Sequence, residues 1–372
     1  CKRAKYIILW VHQRVQIEML FIIVAFIFLR MQLWQFPGMN MDSWTYIHPA
    51  IELISGILPD FTIRTPGYPI FLSIFFKLGM SLKAVAITQS FMVLGSLLFF
   101  YKCISSYILR FRWFLAIGLI GYLSSREMIR YETLITPSAL YTCCLLLTFS
   151  GIAKTIQTQR IFWAVFTSLA AGIAILMRPA GMFTMVLLLI FSCALYLFRK
   201  ARISIAASLM VPMLLLLVSL YIYNGIVSGI YTASAFTERN LLGATATFWE
   251  IPKDEKYPNY IYKSVDEAET RLTDKQRKIL NASWNPYELF DVWMAHYSYG
   301  AWGGISRAGI NEGFSYLEQR SILKEIIIHS ISENPLYYCK FIYSNLLTLY
   351  GNMSVKRKGI YWDHVYFRHK YV

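Results

Sequence analysis

Long apolar runs separated by short clusters of charge dominate the chain. Residues 84–101, 133–153, 161–177, 179–198 and 203–237 contain no Asp, Glu, Lys or Arg. Crossing a bilayer takes about 20 mostly apolar residues, and several runs approach that length within one chain. The pattern predicts an all-α polytopic membrane protein with about eight transmembrane helices in the visible chain. Spans are expected over residues 17–36, 84–101, 113–125, 133–153, 162–177, 181–198 and 203–223, the third being the shortest. A last apolar stretch, residues 336–350, reads as an eighth span or an interfacial helix. Residues 67–80 are apolar but short and bounded by Lys77 and Lys83, as in an interfacial or re-entrant helix.

After Asn224 the pattern changes. Residues 225–332 mix charge, Trp and Tyr and read as a soluble, α-containing domain on the outer face. The expected organisation is therefore a transmembrane module over residues 1–224, with an outer loop at 37–66. The soluble domain at 225–332 follows, then a terminal segment at 333–372 that ends in a basic cytoplasmic tail.

Composition agrees. Hydrophobic residues make up 56% of the chain and charged residues 15%, against about 25% charged in ordinary soluble proteins. The net charge of +15 could suggest nucleic acid. Its Lys and Arg, however, sit between apolar runs, and no zinc spacing or RNA-binding signature accompanies them. They fall instead on alternate loops: Lys2/Arg3/Lys5/Arg14, Lys102/Arg110/Arg112, Lys154/Arg160, Arg199/Lys200/Arg202 and Lys356/Arg357/Lys358. The positive-inside rule places all five in the cytoplasm. The loop around Asp42, the turn at 126–132, the turn at Arg178 and residues 225–332 then face outward. The chain is therefore expected to be an integral membrane protein with these loops on the non-cytoplasmic side.

The six cysteines show no disulfide framework or CxxC motif. Cys1 stands where an initiator Met would be, and Lys2, Arg3 and Lys5 resemble a cytosolic tail more than a lipoprotein start. An incomplete reading frame is the simpler expectation, with the first span serving as an uncleaved targeting signal.

Candidate chemistry lies in the outward loops. Asp42-Ser-Trp-Thr-Tyr46-Ile-His48-Pro-Ala50 follows the first span. Asp42 is placed to take a proton from an acceptor hydroxyl; Tyr46 and Ala50, four and eight positions on, share its helical face. The alternative is an Asp that caps a short helix. Arg64-Thr-Pro66-Gly67-Tyr68-Pro69 forms a turn. Its Arg suits a phosphate, or else anchors to a lipid headgroup. Arg178-Pro-Ala-Gly181 repeats the arrangement at the outer end of another span, with snorkelling as the alternative. Arg126, Glu127, Arg130 and Glu132 could pair among themselves. Gln89 lies inside a span, where an amide usually bonds a neighbouring helix. The outer-domain residues Trp249, Trp284, Trp293 and Trp302 suit sugar stacking or, more simply, a core or interface. Asn281-Ala-Ser and Asn352-Met-Ser are sequons of little specificity.

Taken in order, these pieces resemble the GT-C superfamily of polyprenol-dependent glycosyltransferases. The resemblance is to the branch of protein O-mannosyltransferases and the bacterial transferases that add aminoarabinose to lipid A. It rests on Asp42/Tyr46/Ala50, Arg64-x-Pro66-Gly67-Tyr68-Pro69, Gln89, Leu176-Met-Arg178-Pro-x-Gly181, Tyr223-Asn224-x-x-x-x-Gly229 and Asn334-Pro335-x-x-Tyr338, and spans most of residues 37–345. It implies a membrane glycosyltransferase that moves a hexose or pentose from a polyprenyl phosphate to an acceptor hydroxyl with inversion. Asp42 would be catalytic. Arg64 and Arg178 would lie near the donor phosphate, and Tyr46, Tyr68 and Glu132 complete the expected substrate-binding set. The implied partners are a polyprenyl-phosphate-linked sugar, an acceptor lipid, glycan or protein, and membrane lipids, with no nucleic acid. No cofactor or metal ligand is assigned, although a divalent metal is compatible with the resemblance. Two departures stand out: Ser43 where the family often has a second acid, and Thr136-Pro137 where it commonly has Thr-Glu, for which Glu132 is the expected substitute. Members also tend to be longer. A transporter or flippase of a lipid-linked saccharide and a non-catalytic envelope scaffold are the competing classes.

Overall fold

The computed structural model describes residues 2–30, 37–197, 202–234, 236–251, 257–302, 304–314 and 316–351. The end of the first expected span (31–36), Arg199 and Lys200, the Asn352 sequon and the basic tail lie outside the described residues. Within them the protein is all-α, with seventeen α-helices, and divides into two compact units at Phe236/Thr237.

The first unit runs α1 (Lys2–Arg30), α2 (Met41–Ile54), α3 (Gly67–Lys77), α4 (Leu82–Ile104), α5 (Arg112–Ser124), α6 (Arg126–Thr133), α7 (Ser138–Thr158), α8 (Ile161–Met177), a 3-10 turn (Pro179–Met182), α9 (Phe183–Leu197) and α10 (Ile203–Ser228). Among the described residues four helical stretches are long and apolar enough to cross a membrane: α4, α7, the 3-10 turn with α9, and α10. α5 has 13 residues and α8 has 17, short of the ~20 that a perpendicular crossing takes. The expectation of about eight spans therefore exceeds what helix length alone supports. Large apolar side chains face outward along these helices, Phe114 at 72% and Ile190 at 62% exposure. Such a surface suits lipid and is rarely left in water.

Small residues let the helices approach. α8 buries Ala164, Ala170, Ala171, Gly172 and Ala174. A Cβ on Gly172 would come within 2.7 Å of Leu216 of α10. Pro212 interrupts the ladder of α10, and the next N–H, that of Met213, is taken up by Ser168 Oγ of α8 at 2.9 Å. Two buried ion pairs hold α1. Glu18 accepts from Tyr101 of α4 and pairs with Arg112 of α5 at 3.0 Å. Near the other end Arg30 grips Glu132, the two contacts being 2.7 and 2.8 Å.

α10 continues past the boundary expected at 224/225. Asn224 lies inside it, donating to the Thr232 carbonyl at 2.7 Å, and the helix stops where Gly229 adopts a left-handed conformation at φ 74°.

The second unit comprises α11 (Phe236–Thr245), α12 (Asn259–Thr270), α13 (Asp274–Ala282), α14 (Pro286–Trp302), α15 (Gly304–Asn311), α16 (Tyr316–Glu333) and α17 (Pro335–Gly351). Its core gathers Leu242, Trp249, Tyr260, Ile261, Ile305 and Ile326. A second cluster joins Leu272, Leu280, Leu289, Val292 and Trp293 to Tyr337 and Phe341 of α17. α17 was expected as a span or interfacial helix; here it packs on this unit, and Lys340 donates to the Leu280 and Asn281 carbonyls at the end of α13.

Candidate functional site

α2 owes its start to a capping box. Asn40 Oδ1 accepts from Ser43 N and Ser43 Oγ accepts from Asn40 N, both at 3.0 Å, which satisfies two amides that a helix start would leave bare. Asn40 therefore caps this helix, and Asp42 does not. Ser43, fully buried, is committed to the same box. Position 43 is thus filled by a residue that builds the helix start. Asp42 stands in the first turn with its side chain 57% exposed, where the positive end of the helix favours a carboxylate.

Arg64 closes over this turn. Its Nη2 reaches Asp42 Oδ1 at 2.5 Å, its Nε donates to Thr45 Oγ1 at 2.9 Å, and its Nη1 donates to the Tyr46 hydroxyl at 3.3 Å. The guanidinium carbon also lies 5.0 Å from the Tyr46 ring centre. Thr45 in turn donates to the Asp42 carbonyl at 2.6 Å. Three α2 side chains therefore fix the orientation of one guanidinium, whose own side chain is only 13% exposed.

Arg178 belongs to the same neighbourhood. It follows α8, whose last turn packs against α3: a Cβ on Gly67 would come within 2.7 Å of the Leu176 carbonyl oxygen. Arg178 donates to Ser138 Oγ at 3.1 Å and lies 5.9 Å from the Tyr141 ring centre. Burial pushes the Tyr46 phenol above its ordinary value, while the charges of Arg64 and Arg178 act the other way. The phenol therefore stays protonated at neutral pH and can donate a hydrogen bond.

Tyr68 and Glu132 are placed differently from the expectation for substrate contacts. Tyr68 is fully buried behind Tyr46, the rings meeting edge to face at 5.4 Å, and its hydroxyl donates to Gln89 Oε1 at 2.7 Å. Gln89 Nε2 donates to the Glu132 and Leu134 carbonyls, each at 3.1 Å. Glu132 itself is fully buried and engaged by Arg30. The pairing considered for it within the 126–132 turn is replaced by one with α1. Tyr68, Gln89, Glu132 and Arg30 thus form a continuous buried brace. It is reinforced where Gly38 bonds Thr133 and Ile135 through the backbone at 2.9 and 3.0 Å.

Asp42, Tyr46, Arg64 and Arg178 are therefore brought together, while Tyr68 and Glu132 stand behind them. Sequence reasoning missed Thr45 and Arg30. Thr45 carried a signal in retrospect, one helical turn after Asp42; Arg30 carried none beyond being a charge at the end of an apolar run. Among the described residues no three His, Cys, Asp or Glu side chains gather as a metal cage requires. Comparison with models of known protein families, with curated proteins and with solved structures finds no match.

Proposed function

We propose that this protein is a membrane glycosyltransferase that transfers a sugar, with inversion, from a polyprenyl phosphate to an acceptor hydroxyl at the outer face of the membrane. The observation that carries the reading is the Asp42–Arg64 pair: an exposed carboxylate at a helix start, held by an oriented guanidinium, with the Arg178 cation nearby. In this reading α1, α5 and α8 add crossings to the four longest apolar stretches. The basic loops face the cytoplasm.

The acceptor oxygen attacks the anomeric carbon as the bond from that carbon to the phosphate oxygen breaks. The acceptor proton passes to Asp42, and the bonding pair leaves with the polyprenyl phosphate. Charge growing on that phosphate is offset by Arg64 and Arg178, fixed donors of the kind that contribute most to catalysis. Tyr46 supplies a protonated hydroxyl beside them. Because Arg64 already contacts one oxygen of Asp42, an arriving phosphate shares that guanidinium with the carboxylate, which places donor and base side by side.

The test is transfer from a radiolabelled polyprenyl-phosphate sugar in membranes that contain or lack the protein. Protein-dependent appearance of label in a lipid, glycan or protein acceptor supports the reading. Protein-dependent movement of the labelled lipid between leaflets, without transfer, replaces it with a flippase.

A further inference from the structure

The second unit contains a cavity of about 380 Å³, within the range of small-molecule sites. We propose that it is a binding site for a neutral saccharide, carried by the second unit and independent of the transfer reaction assigned to the first.

The lining has two parts. Its floor is apolar and largely buried: Phe248, Ala268, Leu272 and Leu280. Its rim is three polar couples from separate segments. Asn334 donates to Glu250 Oε1 at 2.8 Å, Arg277 donates to the Glu269 carbonyl at 2.6 Å and lies 3.4 Å from its carboxylate, and the Tyr337 hydroxyl donates to Asn281 Oδ1.

Each couple leaves hydrogen-bonding capacity, because an amide carries two N–H groups and an oxygen, and a carboxylate has two oxygens. A pyranose matches this division. Its C–H face suits the apolar floor and the Phe248–Tyr337 corner, whose ring centres are 5.8 Å apart. Its hydroxyls, each donor and acceptor, suit planar amides and carboxylates.

Charge narrows the class. Glu250 and Glu269 outnumber Arg277 by one on the rim, and the Lys340 ammonium behind Asn281 offsets that charge, so the surroundings are close to neutral and suit an uncharged ligand. The rim is also braced from behind: Lys340 Nζ holds the Asn281 carbonyl at 3.0 Å, which fixes the end of α13.

The experiment uses the full chain in lipid nanodiscs, with the methyl glycosides of glucose, mannose and N-acetylglucosamine as probes, read by saturation-transfer NMR titration. At least one glycoside is expected to saturate in the millimolar range. Glu250→Ala and Asn281→Ala, both at exposed rim positions, should each weaken binding about tenfold, with circular dichroism unchanged. Asp42→Asn should leave it intact. The proposal is overturned if no glycoside saturates, if both rim variants bind like the wild type, if Asp42→Asn abolishes binding, or if inorganic phosphate saturates the protein in preference.

Discussion

Arg64 and Asp42 meet at 2.5 Å, and the guanidinium is held in that contact by Thr45 and Tyr46. The geometry depends on a planar fork that reaches three partners at once. Arg64→Lys keeps the charge but not the fork. It should lower the transfer rate at least tenfold with little change in melting temperature. Arg64→Ala should lower it further, because the phosphate then loses a fixed cation as well. Rates equal to the wild type for both variants would remove Arg64 from the site.

Arg30 and Glu132 are both fully buried, so removing one strands the other charge. Glu132→Leu or Arg30→Met alone should destabilise the protein by about 3–5 kcal/mol, and the double variant should recover most of that loss. Thermal unfolding in detergent reads the stability, and the same preparations report Glu132's role. A double variant that unfolds normally and still transfers sugar leaves Glu132 as a brace. One that is stable but inactive returns Glu132 to the substrate.

Gly67 approaches the Leu176 carbonyl so closely that a Cβ there would sit 2.7 Å from its oxygen. Backbone cannot yield as a side-chain tip can. Gly67→Ala should therefore cost about 1–3 kcal/mol and lower the transfer rate, since α3 and the Arg178 turn are forced apart. Gly56, with nothing within 4 Å of an added Cβ but a φ of 76°, provides a comparison in which backbone strain acts without a clash.

His296 is buried in the second unit and its Nε2 has no hydrogen-bond partner among the described residues. Burial pushes the imidazole below its ordinary value, and the Arg271 charge acts in the same direction. The unfolded chain thus takes up the proton first. The stability linked to this group is complete above the unfolded value of about 6.5 and is lost as pH falls through the lower folded value. Melting curves between about pH 7 and pH 5 should show a slope that His296→Phe reduces; an unchanged slope would assign it to other groups.

Most helices of the first unit were legible because each depends on local composition, and four of its helical stretches are long and apolar enough to cross a membrane. α4, α7 and α10 follow charge-free runs, and the turn at Arg64 follows its Pro and Gly residues. The convergence of Asp42, Tyr46 and Arg64 was legible only as a pattern. Its geometry depends on Asn40 and Ser43, whose box starts α2 and leaves Asp42 out of the cap. The role of Glu132 was not legible, because its partner lies 102 residues away and two charges that far apart carry no pairing signal. The same limit hid the packing of α17: residues 336–350 read as a span or interfacial helix, but Tyr337 and Phe341 pack into the second unit's core and Lys340 reaches the Leu280 carbonyl 60 residues earlier.

Asp42 carries the central claim, and its exposed side chain makes it a clean position to change. Asp42→Asn preserves shape and removes the carboxylate proposed as the base. The decisive measurement is transfer of label from a polyprenyl-phosphate sugar by this variant, compared with wild type at equal membrane abundance and equal melting temperature. The expected rate is at least about a hundredfold lower, the scale of a lost general base. Transfer at the wild-type rate by a correctly folded Asp42→Asn protein would contradict it.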